Sequence, residues 1–185
     1  MAEVNVLGFA GSLRKESFNR KLLRASAQLA PEGMTIEAFD ISDIPLYNTD
    51  VEQAAFPDSV RRFKEAIRAA DGVLIVTPEH NYSFAGVTKN AIDWASRPYG
   101  DSAFKGKPVI IQSASPGYMG GARAQYHLRQ VFGYLEMKQM FFPEVFLSAA
   151  QKAFDAEGNL TSEMARENIV KQLEAFKKFI QDEAA

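Results

Sequence analysis

Five short apolar runs punctuate this chain, and each is followed by a longer segment in which apolar residues return every three or four positions. The runs are Val4 to Ala10, Met34 to Asp40, Gly72 to Thr77, Val109 to Ala114 and Met140 to Leu147. The first, third and fourth are apolar almost without interruption, the pattern of strands buried on both faces. The segments between and after them predict helices over Asn19 to Leu29, Pro57 to Ala70, Ala85 to Ser96, Gly121 to Met137 and Ser162 to Asp182. In the last of these, Ile169, Leu173, Phe176 and Ile180 share one face, while lysines and glutamates fall elsewhere. Strands alternating with helices demand right-handed crossovers and a parallel sheet covered on both sides. The expected architecture is an open, doubly wound α/β sheet of five strands. No repeat, low-complexity stretch or long linker interrupts it, and 185 residues are enough for one sizeable core, so residues 1–185 are expected to form a single domain.

Charge and rare residues narrow the function. Lys and Arg number 21 against 23 Asp and Glu, a net charge of -2 that gives no electrostatic reason to expect nucleic acid or an anionic membrane as partner. No apolar run approaches the ~20 residues that span a bilayer, and Met1 to Asn5 lacks the features of a signal peptide, so the cytoplasm is the expected location. The chain has no cysteine, which removes disulfides, thiolate nucleophiles and cysteine-ligated metals. His80 and His127 are its only histidines and lie far apart in sequence, so no metal site is expected.

In open α/β sheets ligands bind beyond the carboxyl ends of the strands, where strand order reverses. The loops that reach this position are "GSLRKESFN", "PEHNYSFAG" and "SPGYMGG". In the first, Gly11 permits a tight exit from the strand, Ser12, Ser17 and Asn19 carry short donors, Arg14 adds a cation, and the next helix points its N-terminus at the loop. A phosphate suits such a cradle. The loop is neither G-x-G-x-x-G nor a Walker A sequence. By itself it also reads as an ordinary capped loop with solvated cations; its place at the end of the first strand favours the phosphate. The second loop, with Pro78, Asn81 and Tyr82, offers turn amides and side chains suited to the edge of a flat heteroaromatic ring. The two loops together describe a bound mononucleotide.

"GSLRKESFN", "TPEHNYSFAGVTKNAIDWASRP" and "GGARAQYHLRQ" resemble, in order, the three signature regions of the NADPH-dependent FMN reductase family of flavodoxin-like proteins, in its branch of bacterial quinone, chromate and azo-compound reductases. The resemblance runs over nearly the whole chain. It implies a flavodoxin-like fold and non-covalent FMN, reduced by NADPH or NADH and reoxidised by quinones, chromate, azo compounds, ferric complexes or free flavin. At matching positions it implies that Ser12, Arg14, Ser17 and Asn19 bind the FMN phosphate, that Pro78, Glu79, His80, Asn81 and Tyr82 line the isoalloxazine, and that Ser115 stands beside the ring or ribityl chain. Hydride transfer to a flavin needs no general acid, so no catalytic side chain is assigned. Two residues depart from the pattern: His80 replaces a usual tyrosine, and Thr88 stands at a usually apolar position. Lys89 and Asp93, at i and i+4, read as a helix-face ion pair, His127 as structural or interfacial, and Trp94 as core with Val87 and Ala91.

The helix over Gly121 to Met137 has two faces. Ala124, Leu128, Val131, Phe132 and Leu135 form a stripe for the sheet, while Arg123, Tyr126, Gln130, Gly133, Tyr134 and Met137 lie opposite, with residue types common at interfaces. Ile92 and Ala85 are expected to extend that patch. The expectation is a homodimer or homotetramer through helices 85–96 and 121–137, and the resemblance implies that Arg123, Tyr126 and Glu144 link neighbouring subunits. Two other classes share the layout. A flavodoxin-type electron carrier would normally be more acidic and carry a Thr/Ser-rich phosphate loop. A phospho-receiver needs acids where this chain has Ala10-Gly11 and Thr77-Pro78.

Overall fold

A computed structural model describes residues 3–184. Its strands are β1 (Val4–Ala10), β2 (Met34–Phe39), β3 (Gly72–Val76), β4 (Glu79–His80), β5 (Ser83–Phe84), β6 (Pro108–Ala114), β7 (Lys138–Gln139) and β8 (Val145–Leu147). Its helices are α1 (Phe18–Gln28), α2 (Thr49–Ala54), α3 (Asp58–Ala69), α4 (Gly86–Ala95), α5 (Ala122–Tyr134) and α6 (Glu163–Ala184), with a 3-10 turn at Ala150–Lys152. The main sheet runs β2-β1-β3-β6-β7 with every pairing parallel, and β8 pairs with the upper part of β6. Of the fifth expected strand, Met140 to Leu147, only β8 forms, and β7 lies just before its expected start on the same edge. Pro143 explains the gap, since it has no N–H to offer a ladder.

Alternation along the buried strands feeds two cores. Val4 and Val6 of β1, Leu74 and Val76 of β3 and Ile110 of β6 face α1 and α6, whose Leu22, Ile169, Leu173 and Phe176 are fully buried. Leu7, Phe9, Val73, Ile75, Val109 and Ile111 face the other way, onto Phe63 and Ile67 of α3, Trp94 of α4, and Leu128 and Phe132 of α5. Phe9 meets Phe63 edge-on at 5.3 Å between ring centroids. Trp94 is closed in by Tyr47 and Phe56, and its indole N–H donates to the Pro45 carbonyl at 2.8 Å.

Three expected surface residues are buried instead, Ile92 and Met137 in this second core. Ala85, Ile92 and Met137 are 3%, 1% and 7% exposed, so none of them extends a patch on α4 or α5. Met137 follows the end of α5, where Glu136 at φ 56° turns the chain and sends the next side chain inward. Tyr126, Gln130, Gly133 and Tyr134 do face outward. Lys89 and Asp93 pair at 2.8 Å as expected.

Candidate functional site

The order β2-β1-β3 reverses direction at β1, so the crevice beyond the carboxyl ends of β1, β3 and β6 is where backbone groups are left without sheet partners. Main-chain bonds tie each exit loop to a neighbouring strand: Gly11 N–H to Val76 O at 2.8 Å, Thr77 N–H to Gln112 O at 3.0 Å, and Ser115 N–H to Leu147 O at 3.0 Å. The three loops predicted to form the site therefore stand side by side.

The β1–α1 loop is fixed by packing. A Cβ on Gly11 would lie 1.8 Å from the hydroxyl oxygen of Thr88 and 3.1 Å from its Cβ, so only glycine lets β1 turn against the first turn of α4. Thr88 is wholly buried and its hydroxyl is 3.1 Å from that of Thr77, which donates to the Pro78 carbonyl. The threonine at a usually apolar place thus joins the exits of β1 and β3. Ser17 caps α1, its hydroxyl oxygen accepting the Arg20 N–H at 3.3 Å and keeping its own hydrogen to donate.

Charge in this loop favours an anion. Lys21 is paired with Glu16 at 2.9 Å, and that hydrogen bond, with the lysine charge behind it, holds the Glu16 carboxyl below its ordinary value. Arg14 and Lys15 have no ion pair among the described residues, and no acid occupies the first turn of α1. Ser12, Arg14 and Ser17 thus meet, at a helix N-terminus, the needs of a phosphate. Asn19 departs from the expectation. It is buried, and its amide oxygen accepts Ala114 N–H at 2.9 Å while its amide group donates to Ala114 O at 3.0 Å. Its service to the cradle is to lock α1 against β6.

The loop after β3 is a two-residue hairpin, which the sequence reading did not foresee. β4 and β5 pair antiparallel, with His80 opposite Ser83 and Asn81 and Tyr82 at φ 50° and 66° between them. The Glu79 carboxylate turns from the loop to α5, where it pairs with the Arg123 guanidinium and accepts the Arg123 N–H at 3.2 Å. The side-chain hydrogen bond from the guanidinium to Glu79 holds the Arg123 guanidinium above its ordinary value. The Glu79 side chain is thus committed within the chain, and its main chain is what stays available to a ligand beside Pro78. The side chains of His80, Asn81 and Tyr82 are exposed, and Ser83 bonds His127 Nδ1 at 2.7 Å. In the third loop Ser115 is half-buried, its hydroxyl accepting Gly117 N–H at 3.1 Å, and Tyr118 is wholly exposed.

Tyr126 and Glu144 meet within the chain at 3.4 Å, and Glu144 also lies 3.5 Å from Arg129. Arg123, expected at a subunit contact, is engaged inside the chain with Glu79 and Tyr82. Its place two residues after Gly120-Gly121, in the first turn of a helix that follows the third loop, was the signal for a site role.

Comparison with known proteins supplies independent findings. The family model for NADPH-dependent FMN reductase matches residues 4–152. An NAD(P)H-dependent FMN reductase of Pseudomonas aeruginosa is 53% identical over 178 residues, covering 96% of each chain. A quinone reductase of Escherichia coli K12 is 46% identical over 182 residues, 97% of this chain and 96% of that one. Among solved structures, a flavoenzyme NAD(P)H:(acceptor) oxidoreductase of Paracoccus denitrificans superposes with a TM-score of 0.89 at 38% identity, covering 97% of this chain and 98% of that chain.

Proposed function

The chain belongs to the NADPH-dependent FMN reductase family, and on that premise we propose that its FMN lies across the loops after β1, β3 and β6 and that quinones are its main electron acceptors. It is an FMN-dependent NAD(P)H oxidoreductase. The observation that carries the siting is the first loop: a glycine with no room for a Cβ, a capped helix N-terminus without acids, and an arginine with no anion of its own among the described residues.

Bound FMN supplies hydride acceptance from a nicotinamide and electron delivery to a second substrate. The chain's part is to bind and orient. Ser12, Arg14 and Ser17 would hold the phosphate by charge-assisted hydrogen bonds, and Asn19 keeps α1 in place behind them. Beside Pro78, the main chain of Glu79 to Tyr82 would present N–H donors to the ring edge, where fixed amides favour developing negative charge, with Ser115 at the ring or ribityl side. His80 and Tyr82 on the second loop and Tyr118 and Met119 on the third are exposed, and such side chains suit flat acceptors. Chromate, azo compounds, ferric complexes and free flavin would use the same face. No side chain is given a proton-transfer role.

The remaining parts of the reading concern assembly and place. The outward residues Tyr126, Gln130, Gly133 and Tyr134, together with a groove of about 660 Å³ between α4 and α5, support self-association as a homodimer or homotetramer. The whole chain acts as one FMN-binding domain, and a cytoplasmic location fits a chain in which no described helix is long and apolar enough to cross a membrane.

An anaerobic titration with NADPH and then NADH, following the flavin absorption band, tests the function. Rapid full bleaching, recovered by adding a quinone, is the expected result; a protein that stays colourless after incubation with FMN overturns it. Native mass with Tyr126 and Gly133 both replaced by glutamate tests assembly: an unchanged mass would sink the interface.

A further inference from the structure

The hairpin after β3 carries an internal conflict. Asn81 and Tyr82 both lie in the left-handed region that the centre of a tight two-residue turn requires. Asparagine takes that conformation readily, but a tyrosine there persists only where its surroundings hold it. What holds Tyr82 comes from another element. Arg123, in the first turn of α5, lies over the Tyr82 ring with its guanidinium carbon 3.9 Å from the centroid. The same guanidinium bonds Glu79, the residue that begins the hairpin.

The contact is reciprocal. The Glu79 side chain, only 8% exposed, also accepts the Arg123 N–H, so a carboxylate from the hairpin caps a helix whose own N-cap residue, Gly121, has no side chain to do so. An exposed surface pair of this kind contributes little, but one partner here is buried and each meets a second need of the other. Ser83, bonded to His127, pins the returning strand to the same helix.

We propose that Arg123 is a positioning residue for the flavin: acting through Glu79 and Tyr82, it holds the hairpin main chain in the shape that receives the ring. The proposal rests on the FMN reading of the site. It gives the Gly-Gly-x-Arg stretch a duty inside its own chain, distinct from any subunit contact.

Apoprotein of the full chain, as wild type and as Arg123→Ala, Arg123→Lys, Tyr82→Gly and the Arg123→Ala/Tyr82→Gly double variant, is titrated with FMN by fluorescence quenching. The midpoint potential of the bound flavin and the melting temperature of the apoprotein are measured alongside. Arg123→Ala should weaken FMN about tenfold and shift the potential, beyond what the lowered melting temperature of an apoprotein with an unpaired Glu79 accounts for. Arg123→Lys should fall between, because it keeps the charge and loses the planar fork. In the double variant the glycine adopts the turn unaided, so FMN affinity should recover toward that of Tyr82→Gly alone. The proposal is overturned if Arg123→Ala binds FMN as wild type does, if the two substitutions simply multiply, or if the potential stays fixed while affinity follows melting temperature. Should Arg123→Ala not fold, Glu79→Gln, which keeps the size and removes the charge, is judged by the same potential and affinity criteria. A wild-type apoprotein that fails to bind FMN brings down the flavin reading itself.

Discussion

The two loops that flank the crevice are held in opposite ways. From Gly11 to Asn19 the chain is fixed by close packing and by bonds to main-chain groups of the neighbouring strands: Gly11 against Thr88, Gly11 N–H on Val76 O, and the Asn19 amide on both polar groups of Ala114. From Pro78 to Ser83 it is fixed by side chains that reach across to α5. The first arrangement pairs only Glu16, with Lys21, and leaves Arg14 without an ion pair among the described residues. The second uses its carboxylate and a neighbouring cation internally and leaves main chain and an exposed rim for the ligand. A phosphate needs charge at one fixed point, whereas a redox-active ring needs a shaped edge, and each loop supplies what the other has committed elsewhere.

Substitutions in the first loop can break or sharpen this contrast. The largest effect should come from Gly11→Ala, because its methyl would overlap a threonine that has no room to retreat. A cost of about 3 kcal/mol or more in denaturant unfolding and loss of FMN binding are expected; a variant that folds and binds normally would show the cradle to be plastic. Asn19→Ala should cost about 2 to 3 kcal/mol, since it leaves a buried N–H and C=O of Ala114 without partners. Arg14→Ala should leave unfolding unchanged while weakening FMN about tenfold, near 1.4 kcal/mol. Affinity unchanged in that variant would move the phosphate elsewhere. Smallest is Ser17→Ala, expected to cost about 1 kcal/mol through loss of the α1 cap.

Much of the frame was legible because periodicity is a direct consequence of burial. β1 begins and ends where the apolar run does, and α1, α3 and α4 fall within about one residue of their expected ends. What escaped was local or non-periodic. α2 buries none of its residues, so it has no apolar face to be seen by. The fifth strand reads as one run because Met140, Phe141 and Phe142 are apolar, yet the two phenylalanines are exposed and Pro143 parts the ladder. Ile92 and Ala85 look peripheral on a helical wheel drawn for the expected helix 85–96 alone; both are buried, Ile92 in the core that α4 shares with the sheet and α5. In the candidate site, residue types singled out three loops that stand side by side in the fold, but the partners of Asn19, Glu79 and Arg123 are set by tertiary packing over separations of 95 and 44 residues.

The interrupted strand on the β6 side also bears on how copies of the chain avoid one another. An open sheet has two rims, and a long flat rim is a template on which a second chain can add a strand and begin to aggregate. One rim here offers only two residues of β7 and three of β8, parted by a proline-containing bend. The other rim is β2, where Glu37 stands exposed and places a charge along the free edge. Neither side offers a stranger the uninterrupted, uncharged ladder that growth of a fibre requires.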